Sequence, residues 1–123
     1  MALATLGVVV LDCPDPRALA GFYAEVLGGT VEGDGDWVDL KVPGGQSLAF
    51  QAASGFVPPE WPRADHNSQQ FHLDLTVGDL DAAERDVLAL GARPLDTEDR
   101  TRGFRVYADP AGHPFCLCRI DPV

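Results

Sequence analysis

His72-Leu73-Asp74-Leu75-Thr76-Val77-Gly78-Asp79-Leu80 is the stretch on which the fold turns. Polar and apolar side chains alternate up to Val77, the period of a strand with one buried face. The predicted strand covers residues 70–77. Phe71, Leu73, Leu75 and Val77 share its core side, and His72, Asp74 and Thr76 share the other. Asp79 then reads as a helix N-cap, because a carboxylate there accepts from the unpaired N–H groups of the first turn. Leu80, Ala83, Val87 and Leu90 recur at helical spacing, and Gly91 stops the helix. Three further strands are predicted at 93–97, 104–108 and 114–120, the last entered through the turn Asp109-Pro110-Ala111-Gly112. The order is βαβββ.

Upstream, the same order occurs once more. A β-branched run over 6–13 is followed by Asp15-Pro16, an N-cap with proline at the first helical position. Leu19, Phe22, Tyr23, Val26 and Leu27 form one helical stripe that ends at Gly28-Gly29. Strands are predicted at 30–32, 37–42 and 47–52. Superposing Asp15 on Asp79 brings the two strand–helix units into register at an offset of 64, which reads as an internal duplication carried by its punctuation. Residues 1–54 are the first module and 70–123 the second. Residues 55–69, with prolines at 58, 59 and 62, are a linker, and the whole of 1–123 is one domain. By alternation, Val8, Val10 and Asp12 lie on the face equivalent to that of His72. Leu48, Phe50, Phe115 and Leu117 turn to the helices, while Ala49, Gln51, Cys116 and Cys118 turn away. Trp37, Asp39 and Lys41 join this second face. The expected fold is α+β: a curved mixed sheet, helices on its outer face, and a cup able to hold a small molecule.

Composition fits that picture. The 123 residues (13.1 kDa) carry 19 acidic and 9 basic side chains, a formal charge of −10, with 46% hydrophobic residues to fill a core. An acidic surface without a Lys/Arg cluster repels phosphate backbones, so neither nucleic acid nor an anionic membrane is an expected partner. The apolar start at 2–11 lacks a positive leader region, and no run approaches the ~20 residues of a membrane span. Cys13, Cys116 and Cys118 are an odd number without a disulfide spacing, and reduced thiols in the cytoplasm are expected.

The stretch 72–80 with its helix resembles the opening of a module in the glyoxalase/bleomycin-resistance/extradiol-dioxygenase superfamily, the vicinal oxygen chelate proteins. Asp15-Pro16 leading to Phe22-Tyr23 and Leu27-Gly28 is similar to the helix of the first module, and Asp109-Pro110-Ala111-Gly112-His113-Pro114 to the family's Asp-Pro-x-Gly turn. The resemblance covers nearly the whole chain. It implies paired βαβββ modules forming a cup, commonly completed by dimerisation. It also implies metal-ligand positions at or near Val8, Gln51, His72 and Cys116.

These positions depart from a metal set. Val8 has no donor atom, Gln51 is a weak neutral oxygen donor, and Cys116 suits a softer ion such as zinc. The expected protein is therefore a homodimeric glyoxalase-like binder of a small organic molecule, with no cofactor. The candidate ligand-binding residues are His72, Asp74, Gln51, Cys116, Trp37 and Tyr107. Asp74 could orient His72 for acid–base work. Trp37, Trp61, Phe50 and Tyr107 could line a pocket or belong to the core or a dimer contact. Arg102 and Arg105 could meet an anionic substrate or be a surface pair. The alternative function is a divalent-metal-dependent lyase, isomerase or dioxygenase, in which His72 and Gln51 would be the ligands.

Overall fold

A computed structural model describes residues 2–119. The chain divides into two compact units, Met1–Phe56 and Val57–Val123. In the first, β1 (Val9–Cys13) leads to α1 (Pro16–Leu27), then β2 (Thr30–Glu32), β3 (Trp37–Lys41) and β4 (Leu48–Ala52). In the second, β5 (Leu73–Val77) leads to α2 (Leu80–Ala89), β6 (Arg93–Asp96), β7 (Phe104–Ala108) and β8 (Pro114–Arg119). The sheets have equivalent orders, β1-β4-β3-β2 and β5-β8-β7-β6. In each, the first strand pairs parallel with the last and the other pairings are antiparallel. The repeat expected from the sequence is thus a repeat of topology.

Both helices start by the same local chemistry. Asp15 accepts from Ala18 N at 3.2 Å and Asp79 from Ala82 N at 3.1 Å, each with an extended backbone at the cap. Both end next to glycine in the left-handed region, Gly28 at φ 79° and Gly91 at φ 112°, where a side chain would be strained. The turn into β8 is organised by the fully buried Asp109. Its Oδ1 accepts from the backbone N–H groups of Ala111, Gly112 and His113 at 2.9–3.0 Å, and Asp109 N donates to His113 O. One side chain therefore aims the strand that carries Cys116 and Cys118.

In the first unit α1 covers the sheet with Leu19, Ala20, Phe22 and Tyr23, packed on Leu11, Cys13, Val38, Leu40, Leu48 and Phe50. Tyr23 stacks on Phe50 at 5.9 Å, and Phe22 meets Tyr23 edge-on at 4.9 Å. In the second unit only Leu80 and Val87 of α2 are buried, while Leu90, expected on the stripe, is exposed. Tyr107 stacks on Phe115 at 5.7 Å.

The opening strands are shorter than predicted. β1 starts at Val9 rather than at 6, and β5 starts at Leu73 rather than at 70. Gln70 takes φ 64° and Phe71 N donates to Gln69 O at 2.6 Å, so the chain is still turning there. As a result Phe71 is 71% exposed instead of joining Leu73, Leu75 and Val77 on the core side. The other strand boundaries agree to within one residue, save that Ile120 lies outside the described residues. Among the described residues no helix is long and apolar enough to cross a membrane.

Candidate functional site

The parallel pairing of β5 with β8 sets the site. Its register places Asp74 opposite Cys116 and Thr76 opposite Cys118, and the β8–β7 pairing places Phe104 opposite Cys118 and Val106 opposite Cys116. These residues share the sheet face that α2 does not cover, because alternate side chains on each strand turn the same way. His72, one residue before β5, turns back onto this face. Its Nε2 lies 3.0 Å from Asp74 Oδ1. One donor atom each from His72, Asp74 and Cys116 lies within 4.8 Å of the others.

An open hollow of about 510 Å³ lies over this cluster, lined by His72, Asp74, Phe104, Cys116, Cys118 and Arg119, with Gly103 at its rim. Cys116 is buried, whereas the His72 side chain is 36% exposed and that of Asp74 63%. The Cys116 thiol is pushed up to about 12, first by burial and then by the nearby Asp74 carboxylate. Cys118 is raised for the same two reasons, burial ahead of Asp74. Both thiols keep their protons at neutral pH and are poor nucleophiles as they stand. Asp74 therefore stands between the His72 imidazole and the buried Cys116 thiol.

The donor set decides which metal could be held. Calcium is usually held by several protein oxygens, and this cluster offers one carboxylate beside a nitrogen and a sulfur donor. Imidazole, carboxylate and thiol converging from two adjacent strands suit a borderline ion of the zinc class. His72 and Asp74 with Cys116 fit such an ion. The expected pair of His72 and Gln51 does not supply three donors, and exposed Val8 adds none.

The other predicted residues separate by face. Gln51 and Trp37 are cross-strand partners on the exposed face of the first unit, in one row with Asp12, and Trp37 Nε1 donates to Asp39 Oδ1 at 3.2 Å. Tyr107 is not a wall of the hollow. Its register beside Phe115 turns it to the helix side, where it is fully buried and its hydroxyl donates to Glu84 Oε1 at 2.7 Å. Phe50 is likewise core. Arg102 and Arg105 are not a surface pair: Arg105 is buried with Asp81 at 2.9 Å and Glu84 at 3.7 Å, and Arg102 bonds Asp96 and covers the Phe104 ring at 4.4 Å. Phe104 and Arg119 enter the hollow without having been singled out. The alternation of β7 sets Phe104 against Arg105 and Tyr107, but only the pairing with β8 tells which set faces the helix.

Comparison with known proteins agrees with this architecture. The Glyoxalase-like domain family matches residues 8–118, nearly the entire chain, and the protein belongs to it. A glyoxalase/bleomycin resistance protein/dioxygenase family enzyme from Burkholderia phytofirmans PsJN superposes with a TM-score of 0.74 at 19% identity, covering 96% of this chain and 100% of that one. The glyoxalase family protein from Enterococcus faecalis gives 0.66 at 25% identity, covering 96% and 99%. The oxidase ChaP-H2 gives 0.65 at 20% identity, covering 98% and 96%. No curated protein matches the chain.

Proposed function

We propose that this glyoxalase-like protein binds a small organic molecule in the hollow of its second unit, and that it works as a cytoplasmic homodimer. The observation that carries the reading is the hollow itself. Its volume of about 510 Å³ falls in the range of small-molecule sites, and it combines an aromatic wall, Phe104, with the convergent polar groups of His72, Asp74 and Arg119. Such a lining suits a ligand with an apolar body and a polar end. The overall charge of −10 favours a neutral or cationic one.

A thermal-shift screen of diverse small molecules tests this. A ligand present at a hundred times its Kd adds about 2.7 kcal/mol of stability, a rise in Tm on the order of 10 °C for a chain of this size. Phe104→Ala, at a partly exposed position, should reduce that response while leaving the unliganded Tm nearly unchanged. A hit whose shift is the same in wild type and Phe104→Ala places its site elsewhere and refutes the reading. Sedimentation at micromolar concentration checks the dimer.

A second reading, a divalent-metal-dependent lyase, isomerase or dioxygenase, is supported by the convergence of His72, Asp74 and Cys116. The enzyme from Burkholderia phytofirmans PsJN and the oxidase ChaP-H2 share the fold and are named as catalysts. Turnover that disappears in His72→Ala and is absent from chelated protein would establish it.

A further inference from the structure

We propose that Cys116 and Cys118, side by side in the hollow, form a dithiol that captures trivalent arsenic compounds carrying an aromatic group. The inference rests on the reading of the hollow and names a ligand class for it, a thiol-seeking head on an apolar body.

Three observations carry it. The first is the placement of the thiols. Both cysteines are free and both line the hollow. They stand two apart on β8, so their side chains leave the same face of the sheet. Such neighbours on one strand are roughly 6.6 Å apart. A disulfide needs Cβ atoms roughly 3.5–4.5 Å apart, so β8 would have to buckle to close one. One arsenic atom between the sulfurs puts two bonds where a disulfide has one, and it bridges the pair across an intact strand. Cys13 is outside this arrangement, fully buried in the first unit.

The second observation is the chemistry of the surroundings. An arylarsenous acid carries two As–OH groups. The first As–S bond forms at Cys118, the more exposed thiol, and the second at buried Cys116. At each step one As–O bond breaks, and the hydroxyl leaves with the thiol proton as water. Arsenic stays trivalent, no oxidant or reductant takes part, and the product is uncharged. Burial and the Asp74 carboxylate beside Cys116 oppose a negative charge there but not a neutral adduct. Because one strand holds both thiols, the second bond closes within the molecule at high effective concentration.

The third observation is the wall. Phe104 is the cross-strand partner of Cys118 and lines the same hollow. An aryl group on the arsenic packs against that ring, and a methyl group covers less of it. The volume of about 510 Å³ accommodates an aryl group with its arsenic.

Full-length protein treated with one equivalent of phenylarsine oxide should keep the arsenical when millimolar glutathione and a metal chelator are added. Intact-mass spectrometry should show one phenylarsenic unit gained and two hydrogens lost, and two of the three thiols should stop reacting with a thiol reagent. Peptide mapping should place the label on the segment carrying Cys116 and Cys118. Cys116→Ser and Cys118→Ser should each surrender it to glutathione, because a single thiol has no chelate advantage. Cys13→Ala should keep it. Phe104→Ala should weaken retention of the phenyl compound about fivefold and leave that of its methyl counterpart nearly unchanged. Wild-type protein that surrenders the label to glutathione overturns the proposal. So does a label that survives Cys118→Ser, one that maps to Cys13, or a phenyl retention that Phe104→Ala does not alter. The two readings fail separately. Thermal shifts by other molecules that depend on Phe104, in a protein that surrenders the arsenical, would remove the dithiol and leave the hollow standing. A label held through Cys116 and Cys118 with no Phe104-dependent ligand of any kind would refute the hollow, and with it the aryl preference.

Discussion

The two units share an order of elements and a strand topology, yet they fasten helix to sheet by opposite means. Between α1 and its sheet the contact is aromatic and aliphatic, with Phe22, Tyr23 and Phe50 in ring contact. Between α2 and its sheet, buried Leu80 and Val87 are joined by a polar network: buried Arg105 donates to Asp81 and lies 3.7 Å from Glu84, Tyr107 donates to Glu84, and Arg100 donates to Glu84 through its two terminal guanidinium nitrogens. The uncovered faces differ as well. In the first unit that face carries Val8, Val10, Gln51 and Trp37. In the second it carries the His72–Asp74–Cys116 cluster. One topology carries an aromatic core under one helix and a cluster of polar donors on the uncovered face of the other unit.

The comparison can be broken most severely in the first unit. Phe50→Ala should cost about 3–5 kcal/mol, the loss expected when a buried aromatic leaves a cavity, measured by denaturant unfolding. An effect below about 1 kcal/mol would show that the ring stack does not hold α1.

In the second unit the matching change is Arg105→Met. It should cost about 2 kcal/mol, because Asp81 and Glu84 lose their buried partner while Arg100 and Tyr107 still serve Glu84. A loss as large as that of Phe50→Ala would erase the proposed contrast.

The network should also be visible in pH. Hydrogen bonds from Arg100, then that of Tyr107 and the nearby charges, hold the Glu84 carboxyl at about 2, against burial that pulls it up from 4.5. A carboxyl depressed in the folded state contributes stability that is complete above its unfolded value. That contribution is lost as pH falls from 4.5 towards 2. Discounted for solvent screening, it is on the order of 1–2 kcal/mol. Glu84→Gln should flatten stability between those pH values, and an unchanged acid limb would count against the network. The smallest effects should be equal. Asp15→Ala and Asp79→Ala each remove one N-cap and should each cost about 1 kcal/mol, since the caps have the same geometry whatever lies beneath the helix.

Much of this was legible locally. The caps, the helix stops and the Asp109 turn are short-range hydrogen-bond chemistry, and the alternation at 72–77 set His72 and Asp74 on one face. The sequence left Tyr107 open between pocket and core and Arg105 between substrate contact and surface, because their orientation depends on which side of β7 the helix covers. Phe71 was misread because a left-handed backbone at Gln70 delays the strand. Asp74 was visible as a neighbour of His72. Its place beside Cys116, 42 positions away, depends on the parallel pairing of β5 with β8.

The sequence by itself determined the repeated βαβββ order and the helix boundaries, because these follow from periodicity, capping and turn residues acting over a few positions. Only the tertiary structure decided which residues meet in the candidate site. Strand register joins distant residues through backbone hydrogen bonds, and a shift of one residue would have turned Asp74 and Cys116 to opposite faces of the sheet.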